Sequence, residues 1–375
     1  MLRSVEVSIP PVIAELDYLP SLLTQVESER ALIAAARAEA DATADGHSAA
    51  LSRFMIRSES VASSKIERIS ASAEDFARAL AGSRGNSSAT SMVAASRAMV
   101  GLIEEVGAAG RFSSDMILAA HRHLMEDDPY EAEYAGRVRD MQNWVGGSDH
   151  SPRGALHVPP RPERLGELFD DLVAYLNRDD VPVIVQAAIA HAQFESIHAF
   201  TDGNGRIGRA LVSASMRRRG VTENVIVPLA SGLLARREDY FDALTAYRVG
   251  DPGPIIHLFS VSARIAAEEA RGAIARTAEI QQEWRSEYHP RAGSTGSALL
   301  EAFIDHPVMS AEAIEQVVGA SDPARNAAIS AMETVGILRE ITGRKRDRVW
   351  VASELLAELD ELDRRIRKRM GSEAG

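Results

Sequence analysis

His198-Ala-Phe-Thr-Asp202-Gly203-Asn204-Gly205-Arg206-Ile-Gly208-Arg209 is the densest concentration of chemistry in the chain. Two glycines flank Asn204. Glycine opens backbone conformations closed to other residues. Successive N–H groups can then turn inward as an anion-binding nest. The residues after Gly208 have helical texture, which places this loop at a helix N-terminus, where unpaired N–H donors and the helix dipole favour negative charge. Arg206 and Arg209 add two full positive charges three residues apart, on one face of a helix. Asp202 is a hard oxygen ligand in otherwise cationic surroundings, as a Mg²⁺ ion bridging phosphates requires. His198 is the side chain best suited to accept a proton near neutral pH.

Any one of these residues alone reads as part of a capped turn with surface arginines. Together they point to a polyphosphate, a metal ion and a general base. The Gly203, Gly205 and Gly208 spacing also fits the dinucleotide-binding glycine pattern, but that pattern follows a strand and is answered by an acidic residue about twenty positions on. Here residues 186–196 read as helix, and Pro228 stands where the acid is expected. No Walker A, His-Glu-x-x-His or Gly-x-Ser-x-Gly sequence occurs.

Outward from the loop the chain reads as mainly helical. After a short arm ending at Pro10-Pro11, Leu22, Leu23, Val26, Leu32 and Ile33 recur at helical spacing, within a helical stretch from about 20 to 80. Residues 81–88 read as a surface linker. Two helices follow over 91–126, the second capped by Ser113 or Ser114. Residues 134–160 change texture, with glycines, short β-compatible runs and Pro159-Pro160. They predict a small β-hairpin with Val138 and Trp144-Val145 on one arm and 156–158 on the other. Helical texture resumes at Pro162 and runs, with breaks, to about 285. The polar segment 286–296 marks a domain boundary. Helical patterns at 297–305, 310–318 and 322–335 then precede a strand, a basic turn and a strand over 336–351, the outline of a winged helix-turn-helix. The last residues predict a charged helix with a solvated basic end.

The chain has 375 residues, enough for two or three domains. Its 42 Lys and Arg against 54 Asp and Glu give a net charge of −12, which argues against a bulk nucleic-acid binder. With no cysteine, disulfide frameworks, thiolate zinc sites and cysteine nucleophiles are excluded. Aromatic residues are only 5%, which favours helices over a β-sandwich. No targeting signal or membrane span is evident, and a cytoplasmic protein is expected.

The segment from His198 to Arg209 resembles the signature of Fic-domain proteins. The resemblance extends over about 113–262. Residues 137–160 resemble that family's flap, with Val145, Gly146 and Leu156 on it. The segment 231–244, with Tyr240, resembles the lining of the nucleotide pocket. The implied activity is transfer of AMP from ATP, with Mg²⁺ or Mn²⁺, to a Ser, Thr or Tyr hydroxyl of a protein. By position, His198 takes the proton and Asp202 holds the metal. Gly203, Asn204 and Gly205 cradle the phosphates, Arg206 supports them, and Arg209 faces the γ-phosphate. Phe200 is read as a buried anchor. Ala199 stands where the family commonly has Pro.

Upstream, Ser60-Val-Ala-Ser63-Ser64-Lys-Ile66-Glu67-Arg68 resembles the family's inhibitory helix, about 58–69, with Arg68 in place of Gly or Asn. Glu67 would pair bidentately with Arg209 and exclude the γ-phosphate. The expected fold is thus a mainly α, Fic-type helical core with a β-hairpin flap and a C-terminal winged-helix-like domain. The divisions are 1–85, 113–262, a connecting helix 263–290, 291–355 and a charged helix 356–375. Expected partners are ATP, target proteins, the chain itself as a substrate, and a second copy in a homodimer, with no membrane. Two other readings remain. One is a winged-helix transcriptional regulator using the nucleotide fold as sensor, with Arg344, Lys345, Arg346 and Arg348 on phosphates; the candidate recognition helix, poor in base-reading side chains, makes DNA binding the weaker reading. The other is removal of AMP, or transfer of another phosphate-containing group.

Overall fold

The computed structural model describes residues 4–45, 48–148, 150–343 and 347–373. The N-terminal half contains α1 (Leu22–Asp45), α2 (Ser48–Ile66), α3 (Ala73–Leu80), α4 (Ser87–Ala109), α5 (Ser114–Met125) and α6 (Leu165–Leu176). Then come α7 (Val183–Ile197), α8 (Asn204–Arg218), α9 (Leu229–Ala235), α10 (Arg237–Arg248) and the long α11 (Gly253–Glu287). The remainder is α12 (Thr295–Asp305), β1 (Val308–Ser310), α13 (Ala311–Val318), α14 (Asp322–Thr334), β2 (Leu338–Glu340), β3 (Val349–Ala352) and α15 (Ser353–Ser372). The mainly helical class is as the sequence predicts. No helix of the described residues is long and apolar enough to cross a membrane.

Local chemistry sets the ends of these helices. Ser72 caps α3, Asn86 caps α4 and Ser113 caps α5, each side chain accepting from a backbone N–H three residues on. Gly110 ends α4 in the left-handed conformation at φ 65. At the centre lies α7, buried along its whole length and packed against α6, α8 and α11. A helix covered on all sides has no polar face, and Ile184, Val185, Ile189 and Phe194 fill its surroundings.

The helix α1 forms where the spacing of Leu22, Leu23, Val26, Leu32 and Ile33 predicts it, but those side chains face out. Leu22 is 74% and Leu23 81% exposed. The buried stripe is Ala31, Ala34, Ala35, Ala38 and Ala42, against α11 with its own buried Ala263, Ala266, Ala267 and Ala270. Small side chains let the two helices approach closely, so the alanines carry the contact.

Two expectations are corrected. Residues 137–160 contain no regular strand among the described residues. Val145 bridges His157 and Ser148 bridges Ser151, and each bridge is isolated. Val138 joins neither, and the next residue, Arg139, sends its N–H to the carbonyl of Ala199 (2.9 Å). Prolines at 152, 159 and 160 remove ladder donors, and Gly146, Gly147 and Gly154 have positive φ, which breaks an extended run. The second correction concerns α15. Leu362, Ile366 and Met370 belong to the same core as Phe54 and Met55 of α2. Its basic end is paired with α11, Arg365 to Glu269 and Arg369 to Glu268 and Glu269, so it is a docked helix and not a solvated one.

Between them, α12–α14 stand against an antiparallel sheet ordered β1-β3-β2. The strand β1 is too short for periodicity to reveal it. This unit packs on the N-terminal helices. Ala77 of α3 clusters with Ile341, Val349 and Val351. Arg78 donates to the carbonyl of Ile341 (2.7 Å), Arg339 pairs with Glu74, and Arg53 of α2 reaches Asp305. Arg344, Lys345 and Arg346 lie outside the described residues. Arg348 stacks over Trp350, 4.5 Å from the ring centroid. On α14, Arg325 is tied to Asp322 and the carbonyl of Ala320.

Candidate active site

The loop 198–203 joins the two most buried helices of the core. His198 closes α7 in the left-handed region, φ 48, and Gly203 opens α8 at φ 77. A Cβ on Gly203 would also meet the Leu124 side chain at 2.8 Å, so glycine is required there twice over. Phe200 is fully buried and stacks on His121, centroids 3.8 Å apart and planes 4° apart. The anchor role read from the sequence matches this placement. His121 accepts the N–H of Gly136 at Nδ1, so its Nε2 carries the proton and donates to the carbonyl of Asp202 (3.1 Å). Burial pushes the His121 imidazole down to about 4, which keeps it neutral in this role.

Asn204 ties the loop to itself. Its Oδ1 accepts from the Phe200 N–H and its Nδ2 donates to the Phe200 carbonyl, each at 2.9 Å. With the side chain so committed, the first-turn amides of α8 at Asn204, Gly205 and Arg206 are left without helical acceptors. Asp202 lies outside this turn. Its carboxylate accepts from the Gly203 N–H (2.6 Å) and meets Arg206 (3.3 Å), and its side chain is 58% exposed. The buried Arg206 also donates to Ser91 (2.8 Å).

Arg209 is completely buried, one turn further along α8. Its Nε donates to the Ser63 hydroxyl (2.8 Å), and its Nη2 to Glu67 Oε1 (2.7 Å) and to the Ser63 carbonyl (3.0 Å). Burial lowers the guanidinium pKa, but Glu67, Tyr240 and Glu195 outweigh it and hold the group charged. The expected bidentate carboxylate pair is therefore corrected. One Glu67 oxygen and two Ser63 oxygens share the guanidinium, because α2 presents its hydroxyl and last-turn carbonyl to the same fork. A Cβ on Gly205 would collide with Glu67 Oε1. Glu67 thus rests on the bare backbone of the α8 N-terminus.

The segment 58–69 is held at its end as well. Arg68 has φ 62 and turns the chain out of α2, with the Ile69 N–H donating to the Ser64 carbonyl (3.0 Å). A left-handed C-terminal position suits Gly or Asn, which accounts for the residue types that the resemblance expects there. Arg237 donates to the carbonyl of Ile66 (2.9 Å).

Tyr240 differs from its expected place as a nucleotide contact. It is buried, with its hydroxyl on His191 Nε2 (2.8 Å) and near Arg209 (3.5 Å), behind the guanidinium. Its helix position turns it to the core, and the neighbouring Phe241 is the partly exposed ring.

The segment 137–160 lies over the imidazole. His157 bonds the carbonyl of Ser196 (2.9 Å), and Arg139 donates to the carbonyls of His198 (2.9 Å) and Pro160 (2.6 Å). Asn143 Nδ2 reaches His198 Nδ1 at 3.1 Å. Val145 shares backbone bonds with 156–157, while Gly146 and Leu156 are exposed on the rim. Burial, then His157, Arg139 and Arg248, push His198 down to about 3, so the ring is neutral at physiological pH and able to accept a proton. Asn143, Arg139, His157, His121 and Ser91 escaped the sequence reading because they come from the segment 137–160, α5 and α4 and have no motif spacing to His198.

The model of the Fic/DOC family matches residues 111–216. Protein adenylyltransferase fic-1 of Caenorhabditis elegans is 32% identical over 166 residues, covering 43% of this chain and 29% of the relative. Protein adenylyltransferase Fic of Nematostella vectensis is 34% identical over 146 residues, 38% of this chain and 30% of the relative. The chain thus spans less than a third of the length of these curated relatives. A Fic family protein from Desulfovibrio desulfuricans shares the fold with a TM-score of 0.56 at 20% identity, covering 89% of this chain and 97% of that one. The structure of C. elegans Fic-1 gives a TM-score of 0.51 at 24% identity over 68% of this chain and 75% of that one.

Proposed function

This chain carries a Fic domain, and we propose that it transfers AMP from ATP to a Ser, Thr or Tyr hydroxyl of a protein, restrained by Glu67 on Arg209. The observation that carries this reading is the pairing of Arg209 with Glu67 directly on the Gly205 backbone. An anionic group already occupies the seat that a phosphate would take. In this reading residues 113–262 are the catalytic unit, 58–69 the inhibitory helix and 291–355 a winged-helix-like module.

With Glu67 withdrawn, the α8 amides and Arg206 would bind the α- and β-phosphates, and Arg209 the γ-phosphate. The target hydroxyl, laid along the flap near Val145, Gly146 and Leu156, would attack Pα as His198 takes its proton. The new O–Pα bond forms as the bond from Pα to the bridging oxygen breaks, and pyrophosphate leaves. In-line placement supplies much of the rate in such transfers. Among the described residues no group of three or more His, Cys, Asp or Glu forms a metal cage. The exposed carboxylate of Asp202 instead fits Mg²⁺ or Mn²⁺ arriving with the nucleotide, since Mg²⁺ commonly takes one or two carboxylates plus phosphate oxygens and water. Such an ion would neutralise charge on the phosphates.

The test is incorporation of labelled AMP into lysate proteins or into the chain itself. Glu67→Gly should incorporate label, and adding His198→Ala should remove it. Absence of label with Glu67→Gly rejects the reading.

A further inference from the structure

Resting on the reading of His198 as base, a second question is which ring nitrogen can accept the proton. The structure answers it through Asn143. The Asn143 Nδ2 position is 3.0 Å from the carbonyl oxygen of Phe200 and 3.1 Å from His198 Nδ1. A carbonyl oxygen can only accept, so the atom facing it must be the amide nitrogen. That same NH₂ group then donates to Nδ1, and Nδ1 must be bare. The neutral ring therefore carries its proton on Nε2.

The other amide nearby leaves this assignment intact. Asn204 Nδ2 lies 3.3 Å from Nδ1 and 3.4 Å from Nε2, equidistant and so off both lone-pair axes. One of its two hydrogens goes to the Phe200 carbonyl at 2.9 Å, and the other has no lone pair of the ring in line with it. The charged and titratable groups acting on the ring are His157, Arg139 and Arg248, and none of them offers Nδ1 an acceptor. One more observation bears on the site. Asn143 Oδ1 is buried and has no hydrogen-bond partner. An orphaned acceptor beside an imidazole is costly unless another state uses it.

We propose that Asn143 is a positioning residue that sets the tautomer of His198. In the resting structure it parks the proton on Nε2. When the flap shifts and the amide turns, Nε2 releases its proton to solvent water, Nδ1 takes one up from water and donates it to Oδ1, and Nε2 is bared as the base. The Phe200 carbonyl loses one donor in that turn and keeps the other from Asn204. Because Asn143 belongs to the flap, docking of a target segment and arming of the base become one event, and a lone water has no means to trigger it.

The experiment is nitrogen NMR of ¹⁵N-histidine-labelled full chain, with the His198 signals identified by their loss in His198→Gln. The expected resting state has the proton on Nε2. Asn143→Asp keeps the shape but only accepts, so it should move the proton to Nδ1, raise the imidazole pKa and shift the acid limb of the AMP-transfer pH profile upward in the Glu67→Gly background. Asn143→Leu should abolish the tautomer preference and lower kcat about ten- to a hundred-fold with KM for ATP unchanged, as for other outer-shell partners. A resting proton on Nδ1, or Asn143→Asp spectra and pH limb equal to the parent, overturns the proposal. If Glu67→Gly transfers no AMP, the reading of the enzyme fails while the spectra still decide on Asn143.

Discussion

The carboxylate of Glu67 lies against the face of Gly205 on which any larger residue would carry its Cβ. In the proposed reading the glycine would serve two occupants, the phosphate of the substrate and the carboxylate that stands in for it. Arg209, fully buried, faces that carboxylate.

Removing that carboxylate should therefore have opposite effects on the empty and the loaded protein. Glu67→Gly leaves Arg209 with only the neutral oxygens of Ser63 and Tyr240, so the apo melting temperature should fall. A charge-assisted hydrogen bond is worth about 1.5–3 kcal/mol, so nucleotide affinity should rise about 10- to 100-fold. Thermal unfolding with and without ATP and Mg²⁺ checks both. An unchanged affinity for ATP would count against Glu67 as the restraint.

His198→Ala separates binding from chemistry. General-base loss typically costs about 10²- to 10⁴-fold in rate. AMP incorporation by the Glu67→Gly background should drop by that much, while calorimetric ATP binding stays within about twofold, because no phosphate contact is assigned to His198. Equal loss of binding would move the residue's role from chemistry to the loop's shape.

Arg68 at φ 62 is a strained way to leave α2. The left-handed conformation costs a non-glycine residue about 1–2 kcal/mol. Arg68→Gly should stabilise the inhibitory turn and lower basal AMP incorporation about fivefold or more. Higher basal activity would show instead that the Arg68 side chain holds the segment down.

Glu59, on α2, is buried and accepts the N–H of Ala230 (2.8 Å). Burial pushes its carboxyl up to about 8, against the lowering effects of that bond and of Arg209. A folded-state pKa raised above the unfolded value of 4.5 contributes stability that is present below pH 4.5 and lost as pH climbs through about 8. Glu59→Gln, which keeps the acceptor, should raise the melting temperature at pH 9 and leave it nearly unchanged at pH 5. Equal shifts at both values would show that Glu59 titrates as an ordinary carboxylate.

The loop 198–209 was readable because its chemistry is local: glycines, helix start and charges lie within twelve consecutive residues. Glu67 was readable only by resemblance, since nothing in the residues around it marks a partner on α8. Asn143 was not readable at all, because a single amide in a glycine- and proline-rich segment carries no periodicity. The flap misled for a related reason: Val145 and Leu156 look like strand residues, but two bridges cannot extend past neighbouring prolines and left-handed glycines. Along α1, spacing identified a helix, but the large apolar residues that carry the spacing face out. Ala31, Ala34, Ala35 and Ala38 make the contact, and a hydrophobic count weighted by size passes over them.

The docking of α15 has a consequence for synthesis. Translation is vectorial, so α2 and the loop 198–209 leave the ribosome long before residues 353–372. The nascent protein can join Glu67 to Arg209 early, but the flank of α2 later roofed by Leu362, Ile366 and Met370 stays bare meanwhile. That interval is when chaperones would find an apolar surface to hold, and a stalled or prematurely released polypeptide would keep it open.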